Sequence, residues 1–93
     1  MKYIIAHDLG TSGNKATLFS EEGKLIGSTV YAYDTDYFNE TWVEQDPADW
    51  WRAVCETSHA LIAQTGISNS DIEVVSFSGQ MMGCLCVDRA GTP

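Results

Sequence analysis

Positive charge is scarce in this sequence, and so are long apolar runs. Its 93 residues carry 5 Lys and Arg against 13 Asp and Glu, which gives a formal net charge of −8. Nucleic acids and anionic membranes are therefore disfavoured as partners, because both repel a negatively charged protein. The N-terminal apolar run stops at His7 and Asp8, too soon for the core of a signal peptide, and no apolar stretch is long enough to span a membrane.

Cysteine is also scarce, and its spacing argues against a thiol site. The 3 cysteines, Cys55, Cys84 and Cys86, include no C-x-x-C pair, so a zinc site is not indicated. Cys84 and Cys86 lie on one face of a predicted strand, which makes them poor disulfide partners. We interpret the cysteines as small buried hydrophobic residues of a protein in the reducing cytoplasm.

The apolar residues that are present suffice for one folded domain. They make up 44% of the chain, and aromatic residues make up 11%, which predicts a folded rather than a disordered protein. A chain of this length forms one small domain at most. It contains no internal repeat, low-complexity tract or interdomain linker.

The opening of the chain has the pattern of a phosphate-binding turn. An apolar run ends at Asp8, the turn Gly10–Gly13 follows, and a second apolar run leaves from Lys15. Glycines let a turn reverse sharply and bring its N–H groups close to a ligand, while Thr11, Ser12 and Lys15 add further donors. These donors suit a phosphate, and the Asp8 carboxylate suits the metal ion that accompanies one. We call Gly10–Gly13 the phosphate turn; an ordinary hairpin turn without a ligand is the alternative.

The residues after the turn decide which kind of phosphate loop is present. Neither the Walker pattern nor the dinucleotide pattern G-x-G-x-x-G occurs, and both would lead into a helix. Lys15–Phe19 is too short for a helix, Glu21–Lys24 is a second turn signal, and Leu25–Tyr33 is predicted to be a third strand. The phosphate turn therefore joins two strands. This arrangement resembles the first phosphate motif of the superfamily that contains actin, the heat-shock ATPase Hsp70 and the sugar kinases.

A single helix is predicted in the middle of the chain. Asp46 is a suitable N-cap, Pro47 a suitable first helical residue and Gly66 a suitable stop. Apolar residues recur between them at helical spacing, which predicts a helix from about Pro47 to about Thr65. The preceding segment, Asp34–Thr41, is predicted to be an exposed connection.

Two further strands are predicted after the helix. They are Ile72–Ser78, which ends at the turn Gly79–Gly83, and Cys84–Val87. The order β-β-β-α-β-β predicts an α/β fold of the ribonuclease-H-like type, with the right-handed crossover placing the fourth strand beside the first. Ligands of such sheets collect at the carboxyl ends of the parallel strands. The two glycine-framed turns should therefore outline one site.

Three segments resemble the FGGY carbohydrate kinases in their order and spacing. They are D-L-G-T-S-G-N-K (8–15), W-V-E-Q-D-P-A-D-W-W (42–51) and S-G-Q-M-M-G (78–83), and the xylulokinases match best. The resemblance covers nearly the whole chain, and its second and third segments are the most selective. It implies ATP-dependent phosphorylation of a hydroxyl on a sugar or polyol, as in a xylulose-type ketose kinase, with ATP and Mg²⁺ as cofactors.

The resemblance also implies roles for particular residues. In the family, the acid that matches Asp8 lies near the transferred phosphoryl group and its Mg²⁺. The matches to the phosphate turn and its following lysine line the nucleotide phosphates, and the Gln-Met-Met turn touches the sugar. The implied nucleotide-binding residues are Thr11, Ser12, Gly13 and Lys15, and the implied substrate-binding residues are Gln80, Met81 and Met82. No catalytic base is implied within the chain.

The chain departs from the family pattern in two ways. The xylulokinase pattern resembles S-G-Q-M-H-G, whereas here Met82 stands in place of the histidine. A histidine can hydrogen-bond a sugar hydroxyl and Met cannot usefully do so, which leaves a related ketose, polyol or sugar acid open as the substrate. Family members are also much longer and have two ribonuclease-H-like domains. We therefore interpret residues 1–93 as the N-terminal part of the first domain, with the catalytic base and the adenine pocket outside it.

Two other function classes share features with this pattern. A ribonuclease-H-type nuclease needs several carboxylates around two metal ions, but only Asp8 and Glu56 are candidates. A non-catalytic nucleotide-binding domain needs only the phosphate turn, and it stays open because no base for the acceptor hydroxyl is evident. In each case we expect an apolar sheet face and an open edge, covered by the rest of a longer protein or by a second chain, as in a homodimer.

Overall fold

The computed structural model describes all residues from Met1 to Pro93 and contains two sheets and one α-helix. The elements follow along the chain as β1 (Tyr3–Leu9), β2 (Gly13–Ser20), β3 (Leu25–Ala32), β4 (Asp36–Phe38), β5 (Trp42–Glu44), α1 (Pro47–Thr65) and β6 (Ile72–Gly79). The main sheet has the strand order β3-β2-β1-β6, and β4 pairs with β5 in a separate hairpin. One turn of 3-10 helix, Asn69–Asp71, joins α1 to β6.

Strands β1, β2 and β3 form an antiparallel meander, as the two turn signals in the sequence predict. The turn between β2 and β3 closes through hydrogen bonds of 2.9 Å from Ser20 N to Lys24 O and from Gly23 N to Ser20 O. Gly23 has a φ of 83°, in the left-handed region that glycine adopts most readily. The phosphate turn joins β1 to β2 at the opposite end of the sheet.

The helix α1 spans Pro47–Thr65, the bounds that the sequence predicts. The Asp46 side chain accepts a hydrogen bond of 2.9 Å from Ala48 N, and Pro47 lies in the first turn, where no intrahelical N–H bond is lost. Gly66 ends the helix with a φ of 72° and donates from its N–H to Ile62 O. The helix lacks an apolar stretch long enough to cross a membrane.

The hydrophobic core lies between α1 and one face of the main sheet. Its buried cluster consists of Ile5, Ala16, Leu18 and Leu61, each no more than 2% exposed. The helix lies mainly over β2 and β3 and comes very close to Gly27, where an added Cβ would lie 2.9 Å from Gln64 Nε2. The far side of the sheet, at β6, is therefore left uncovered by α1.

A buried polar group continues the core towards the phosphate turn. Asn14 donates from Nδ2 to His7 Nδ1 at 3.0 Å and to Thr57 Oγ1 at 3.1 Å, and all three residues are no more than 2% exposed. The His7 ring stacks on Phe77, with 5.2 Å between the ring centroids. Burial lowers the pKa of the His7 imidazole, which favours its neutral form in the folded protein. His7 thus has a structural role, and it lies on the sheet face opposite Asp8, its neighbour along β1.

Strand β6 lies parallel to β1, so the predicted crossover to a position beside the first strand is confirmed. The register pairs Asp8 with Ser78 and Leu9 with Gly79. Because paired residues of parallel strands lie side by side, the carboxyl ends of β1 and β6 meet at one rim of the sheet. This rim carries both glycine-framed turns.

The structure corrects two predictions about the flanking segments. Cys84–Val87 is not a strand, because its residues are exposed and no neighbouring strand pairs with them. Sequence preference alone does not make a strand, since the backbone groups need a partner strand for their hydrogen bonds. Asp34–Thr41 is almost entirely exposed, as predicted, but it is not a plain connection, because it contains β4, which pairs with β5 from Asp36–Glu44 to Phe38–Trp42.

The cysteines also differ from their predicted buried environment. Cys55 is half-buried in α1, but Cys84 and Cys86 are exposed. Their Sγ atoms lie 3.9 Å apart, and the hydrogen bond between them raises the pKa of the Cys84 thiol. The prediction of burial depended on a strand over these residues, and it is wrong because that strand does not form.

The uncovered edge strand predicts that residues 1–93 self-associate when they are produced alone. Strand β6 has no partner on its outer side, and Val74, Val75 and Phe77 are 47%, 50% and 57% exposed. Apolar side chains beside unpaired backbone groups favour pairing with a second copy. Size-exclusion chromatography should show oligomers or aggregates, and Val75→Lys should shift them towards monomer. The matched change Val30→Lys should do less, because Val30 lies beside Lys15 on the sheet face opposite α1 and not on the uncovered apolar surface around Phe77. A soluble, cooperatively folded wild-type monomer would contradict the prediction.

Candidate functional site

Two glycine-framed turns meet at one rim of the main sheet. The phosphate turn follows β1, and Gln80–Gly83, which we call the Gln80 turn, follows β6. The N–H of Gln80 donates to Leu9 O at 2.8 Å, which extends the contact between β1 and β6 into both turns. The structure therefore brings the two turns together as the sequence predicts.

The carbonyl groups of the phosphate turn are hydrogen-bonded within the chain, whereas two of its N–H groups are not. Gly10 N donates to Gly13 O at 3.0 Å, and Tyr33 donates from its hydroxyl to Gly10 O and from its N–H to Ser12 O. The N–H groups of Thr11 and Ser12 donate to no atom of the chain, and both side chains are exposed. Two amides and two hydroxyls are thus available to an anion such as phosphate.

Tyr33 is a residue of the site that sequence reasoning missed. Its side chain is 8% exposed and lies behind the phosphate turn, to which it donates two hydrogen bonds. Burial raises the pKa of the Tyr33 phenol, and the negative charge of Asp8 raises it further, so the hydroxyl stays protonated and can donate. The available signal was the antiparallel pairing of β2 and β3, which places the residue after Ala32 opposite the turn.

Gly13 is required by the neighbouring strand rather than by its own conformation. A Cβ at this position would lie 2.7 Å from Tyr31 O and 3.0 Å from Ala32 Cα. Neither Gly10 nor Gly13 has a positive φ, so the turn does not need glycine to reverse the chain. The sequence identified the glycines correctly, but the close approach of β3 explains Gly13 better than a sharp reversal does.

Asp8 and Lys15 lie together on the sheet face opposite α1. The register pairs Asp8 with Lys15 on β2 and with Ser78 on β6, so the three exposed side chains share one face. The only ion pair in the chain joins Lys2 to Glu73, which leaves the Asp8 carboxylate and the Lys15 ammonium unpaired. A carboxylate, an ammonium and a hydroxyl side by side suit a phosphate group and its metal ion.

The donors around Asp8 fit a Mg²⁺ ion that takes most of its ligands from elsewhere. No three His, Cys, Asp or Glu side chains converge in the chain, so the protein builds no closed metal cage. Mg²⁺ commonly keeps several waters and binds through one or two carboxylates together with phosphate oxygens. Asp8, exposed near the end of β1, can supply one such carboxylate.

The methionines of the Gln80 turn are surface residues. Met81 and Met82 are 87% and 102% exposed, so neither fills the core. Met82 has a φ of 68°, in the left-handed region that residues other than glycine rarely adopt. The side chain of Gln80 is exposed as well, but its Nε2 donates to Gln45 Oε1 at 2.8 Å.

An open cleft of about 1400 Å³ is lined by residues of both turns. The predicted binding residues that line it are Thr11, Ser12, Gln80, Met81 and Met82. Asp8, Gly13 and Lys15 do not line the cleft, although they adjoin it through the phosphate turn. The structure thus unites part of the predicted nucleotide site with the predicted substrate site in one space, which has room for a small ligand.

Gln45 is the second residue of the site that the sequence analysis did not single out. It lies between β5 and the N-cap of α1 and contacts both turns. Its Nε2 donates to Thr11 O at 2.7 Å, and its Oε1 accepts the hydrogen bond from Gln80. The available signal was its place in the selective segment over residues 42–51.

Comparison with known proteins identifies the family of the chain. Residues 3–93 match the model of the N-terminal domain of the FGGY family of carbohydrate kinases. The chain belongs to the FGGY family of carbohydrate kinases. The resemblance inferred from three short segments is therefore confirmed over nearly the whole chain.

Relatives with different named substrates match the chain similarly well. It is 35% identical over 89 residues to a xylulose kinase of Bacillus subtilis (strain 168) and 39% identical over 89 residues to a glycerol kinase of Fusobacterium nucleatum subsp. nucleatum. Each match covers 96% of the chain but 18% of the relative. The crystal structure of a xyloylose kinase from Brucella ovis matches with a TM-score of 0.90 and 35% identity, over 96% of this chain and 19% of that one. The predicted fold of the FGGY sugar kinases is thereby confirmed.

Gly13→Ala should destabilise this FGGY domain, because the new Cβ would meet the backbone of β3. We expect the free energy of unfolding to fall by about 1–3 kcal/mol, the usual cost of overpacking, in urea unfolding of the protein at its natural length. Gly10→Ala is the matched control, since its Cβ would lie 3.4 Å from Gly13 O and can be accommodated. Equal stability of the two variants would show that β3 does not restrict position 13.

Proposed function

We propose that the protein carrying this chain transfers the terminal phosphoryl group of ATP to a hydroxyl of a sugar or polyol. The observation that carries the proposal is the shared rim, where a turn with unpaired N–H and hydroxyl donors adjoins a second turn across one cleft. Phosphoryl transfer needs this juxtaposition, because the donor phosphate and the acceptor hydroxyl must lie in line. Membership of the FGGY family supports the same reaction class.

We further propose that residues 1–93 are the N-terminal part of the first domain of a longer kinase. The chain spans 18% of the length of the two curated relatives named above. The catalytic base, the adenine pocket and a second domain would then lie in the remaining sequence. A cytoplasmic location is consistent with the free thiols of all three cysteines.

The proposed reaction assigns distinct tasks to the rim residues. The N–H and hydroxyl groups of Thr11 and Ser12 hold phosphate oxygens, and the Lys15 ammonium compensates their charge. Asp8 binds or orients Mg²⁺, which when bound neutralises charge on the transferring phosphoryl group. These local donors are needed because the net charge of −8 works against binding an anionic nucleotide.

A non-catalytic nucleotide-binding domain is the second candidate. It is favoured by one observation: neither turn carries an acid or histidine, and the acids that line the cleft, Asp34 and Glu44, lie outside both turns. The two candidates differ in one measurement. A kinase converts ATP to ADP only when an acceptor sugar or polyol is present, whereas a binding domain retains MgATP without turnover.

Asp8→Ala should depress turnover far more than it weakens sugar binding. Loss of the carboxylate removes an interaction with the metal that is strongest in the transition state, so kcat should fall on the order of 100-fold. Initial rates and sugar affinity would be measured on the full-length protein with a coupled ADP assay and calorimetry. Glu22→Ala, which removes one exposed acid at the opposite end of the sheet, is the control. Equal losses in turnover and in sugar affinity would argue against this role of Asp8.

Met82→His should raise the relative activity on xylulose. Met82 lines the cleft and stands where the xylulokinase-like pattern S-G-Q-M-H-G has a histidine. A histidine at this position can hydrogen-bond a sugar hydroxyl. One restored hydrogen bond of roughly 1.4 kcal/mol corresponds to about a tenfold gain in kcat/KM. A panel of ketoses, polyols including glycerol, and sugar acids would be assayed with the wild type, Met82→His and the control Met81→His. A wild type that already prefers xylulose, and is unchanged by Met82→His, would exclude this position as a determinant of specificity.

A further inference from the structure

The side-chain amide of Gln45 uses all of its hydrogen-bonding capacity, and each bond reaches a different part of the site. Its Nε2 donates to Thr11 O and to Thr35 Oγ1, each at 2.7 Å. Its Oε1 accepts from Trp50 Nε1 at 2.9 Å and from Gln80 Nε2 at 2.8 Å. An amide offers two donor hydrogens and two acceptor lone pairs, so its orientation is fully determined.

The bond to Thr11 O orients the phosphate turn. In a trans peptide, the C=O of one residue and the N–H of the next point in opposite directions. When Gln45 holds Thr11 O, it therefore directs the N–H of Ser12 away from itself. Tyr33 acts in the same way on the peptides before and after, because it holds Gly10 O and Ser12 O. Three consecutive carbonyls are thus held, and the N–H groups of Thr11 and Ser12 point away from the residues that hold them.

The bond to Gln80 links the same amide to the other turn. Gln80 begins the turn whose side chains line the cleft opposite Thr11 and Ser12. Its side chain has no other hydrogen-bond partner within the chain, so Gln45 alone sets its direction. The two turns therefore share one polar contact in addition to the backbone bond from Gln80 N to Leu9 O.

We propose that Gln45 is a positioning residue that couples the nucleotide half of the site to the sugar half. This inference rests on the proposed kinase function and extends it to a residue in the lining of the cleft that acts through both turns. The Gln45 amide holds the phosphate turn in the conformation that leaves the N–H groups of Thr11 and Ser12 unpaired. It also holds the side chain of Gln80 at the cleft. Displacement of either turn breaks bonds of the same amide, so binding at one turn favours the arranged form of the other.

The surrounding structure indicates that the fold does not depend on Gln45. The helix that follows is capped independently by Asp46 and packed against the sheet by Leu61. Gln45 itself is half-buried and is not part of the hydrophobic core cluster. Its loss should therefore loosen the two turns while the sheet and helix remain folded.

The test uses Gln45→Leu, Gln45→Glu, Gln80→Leu and the double variant Gln45→Leu/Gln80→Leu in the full-length protein. Gln64→Leu is the matched control, because Gln64 lies on α1 away from both turns and makes one long bond of 3.4 Å to Ser28 O. The readouts are kcat, KM for MgATP and for the best acceptor of a sugar and polyol panel, affinity for MgADP with and without that acceptor, and hydrogen exchange.

We expect Gln45→Leu to lower kcat/KM for MgATP and for the acceptor by about tenfold or more. The same variant should reduce the effect of the bound acceptor on MgADP affinity. Gln64→Leu should stay within about twofold of the wild type in each measurement. Gln45→Glu keeps the acceptors for Trp50 and Gln80 but loses both donors, so KM for MgATP should rise more than KM for the acceptor. Adding Gln80→Leu to Gln45→Leu should cost less than the two separate losses multiplied, since the residues share one bond.

Hydrogen exchange separates this proposal from the proposed function. In Gln45→Leu, exchange should quicken at the hydrogen-bonded N–H groups that close the two turns, those of Gly10, Tyr33 and Gln80, and stay unchanged in α1, whether or not any acceptor is phosphorylated. A wild type that phosphorylates no member of the panel, with this exchange pattern intact, would overturn the substrate class and not the positioning role. Faster exchange throughout the domain, a melting temperature lowered in proportion to activity, or unchanged exchange at both turns would overturn the positioning role.

Discussion

The parallel pairing of β1 with β6 is the interaction on which the rest of the site depends. Its register places Leu9 beside Gly79, and the bond from Gln80 N to Leu9 O continues the contact past the last strand residues. Two segments about seventy positions apart in the chain thereby reach the same rim. The helix α1 and its core cluster stabilise this crossover, because they fill the space that the connection must span.

At that rim, the chemistry depends on which backbone groups are already paired. Tyr33 and Gln45 occupy the carbonyls of the phosphate turn, and the N–H groups of Thr11 and Ser12 are left without acceptors. Fixed donors of this kind need little reorganisation when an anion binds. They also act locally, so a strongly acidic chain can still present donors that suit an anion.

Prediction from the sequence succeeded where the signal was local. The cap Asp46, Pro47 and the stop Gly66 defined the helix bounds, since each acts on backbone groups within one turn. Prediction failed for Cys84–Val87 and for β4, because a strand exists only when another strand pairs with it, and pairing is not encoded in the strand alone. The burial expected for Cys84 and Cys86 failed for the same reason.

The same distinction between local and long-range signals applies to the candidate site. The sequence by itself determined the phosphate turn, the Gln80 turn and their common rim, because turn residues and element order are local properties that leave few topologies open. Only the tertiary structure decided that β3 requires glycine at position 13, that Tyr33 lies behind the turn, and that Gln45 contacts both turns. These features depend on distances of a few ångströms between segments remote in the chain. Such distances are set by how the sheet, hairpin and helix pack together, and no single segment contains them.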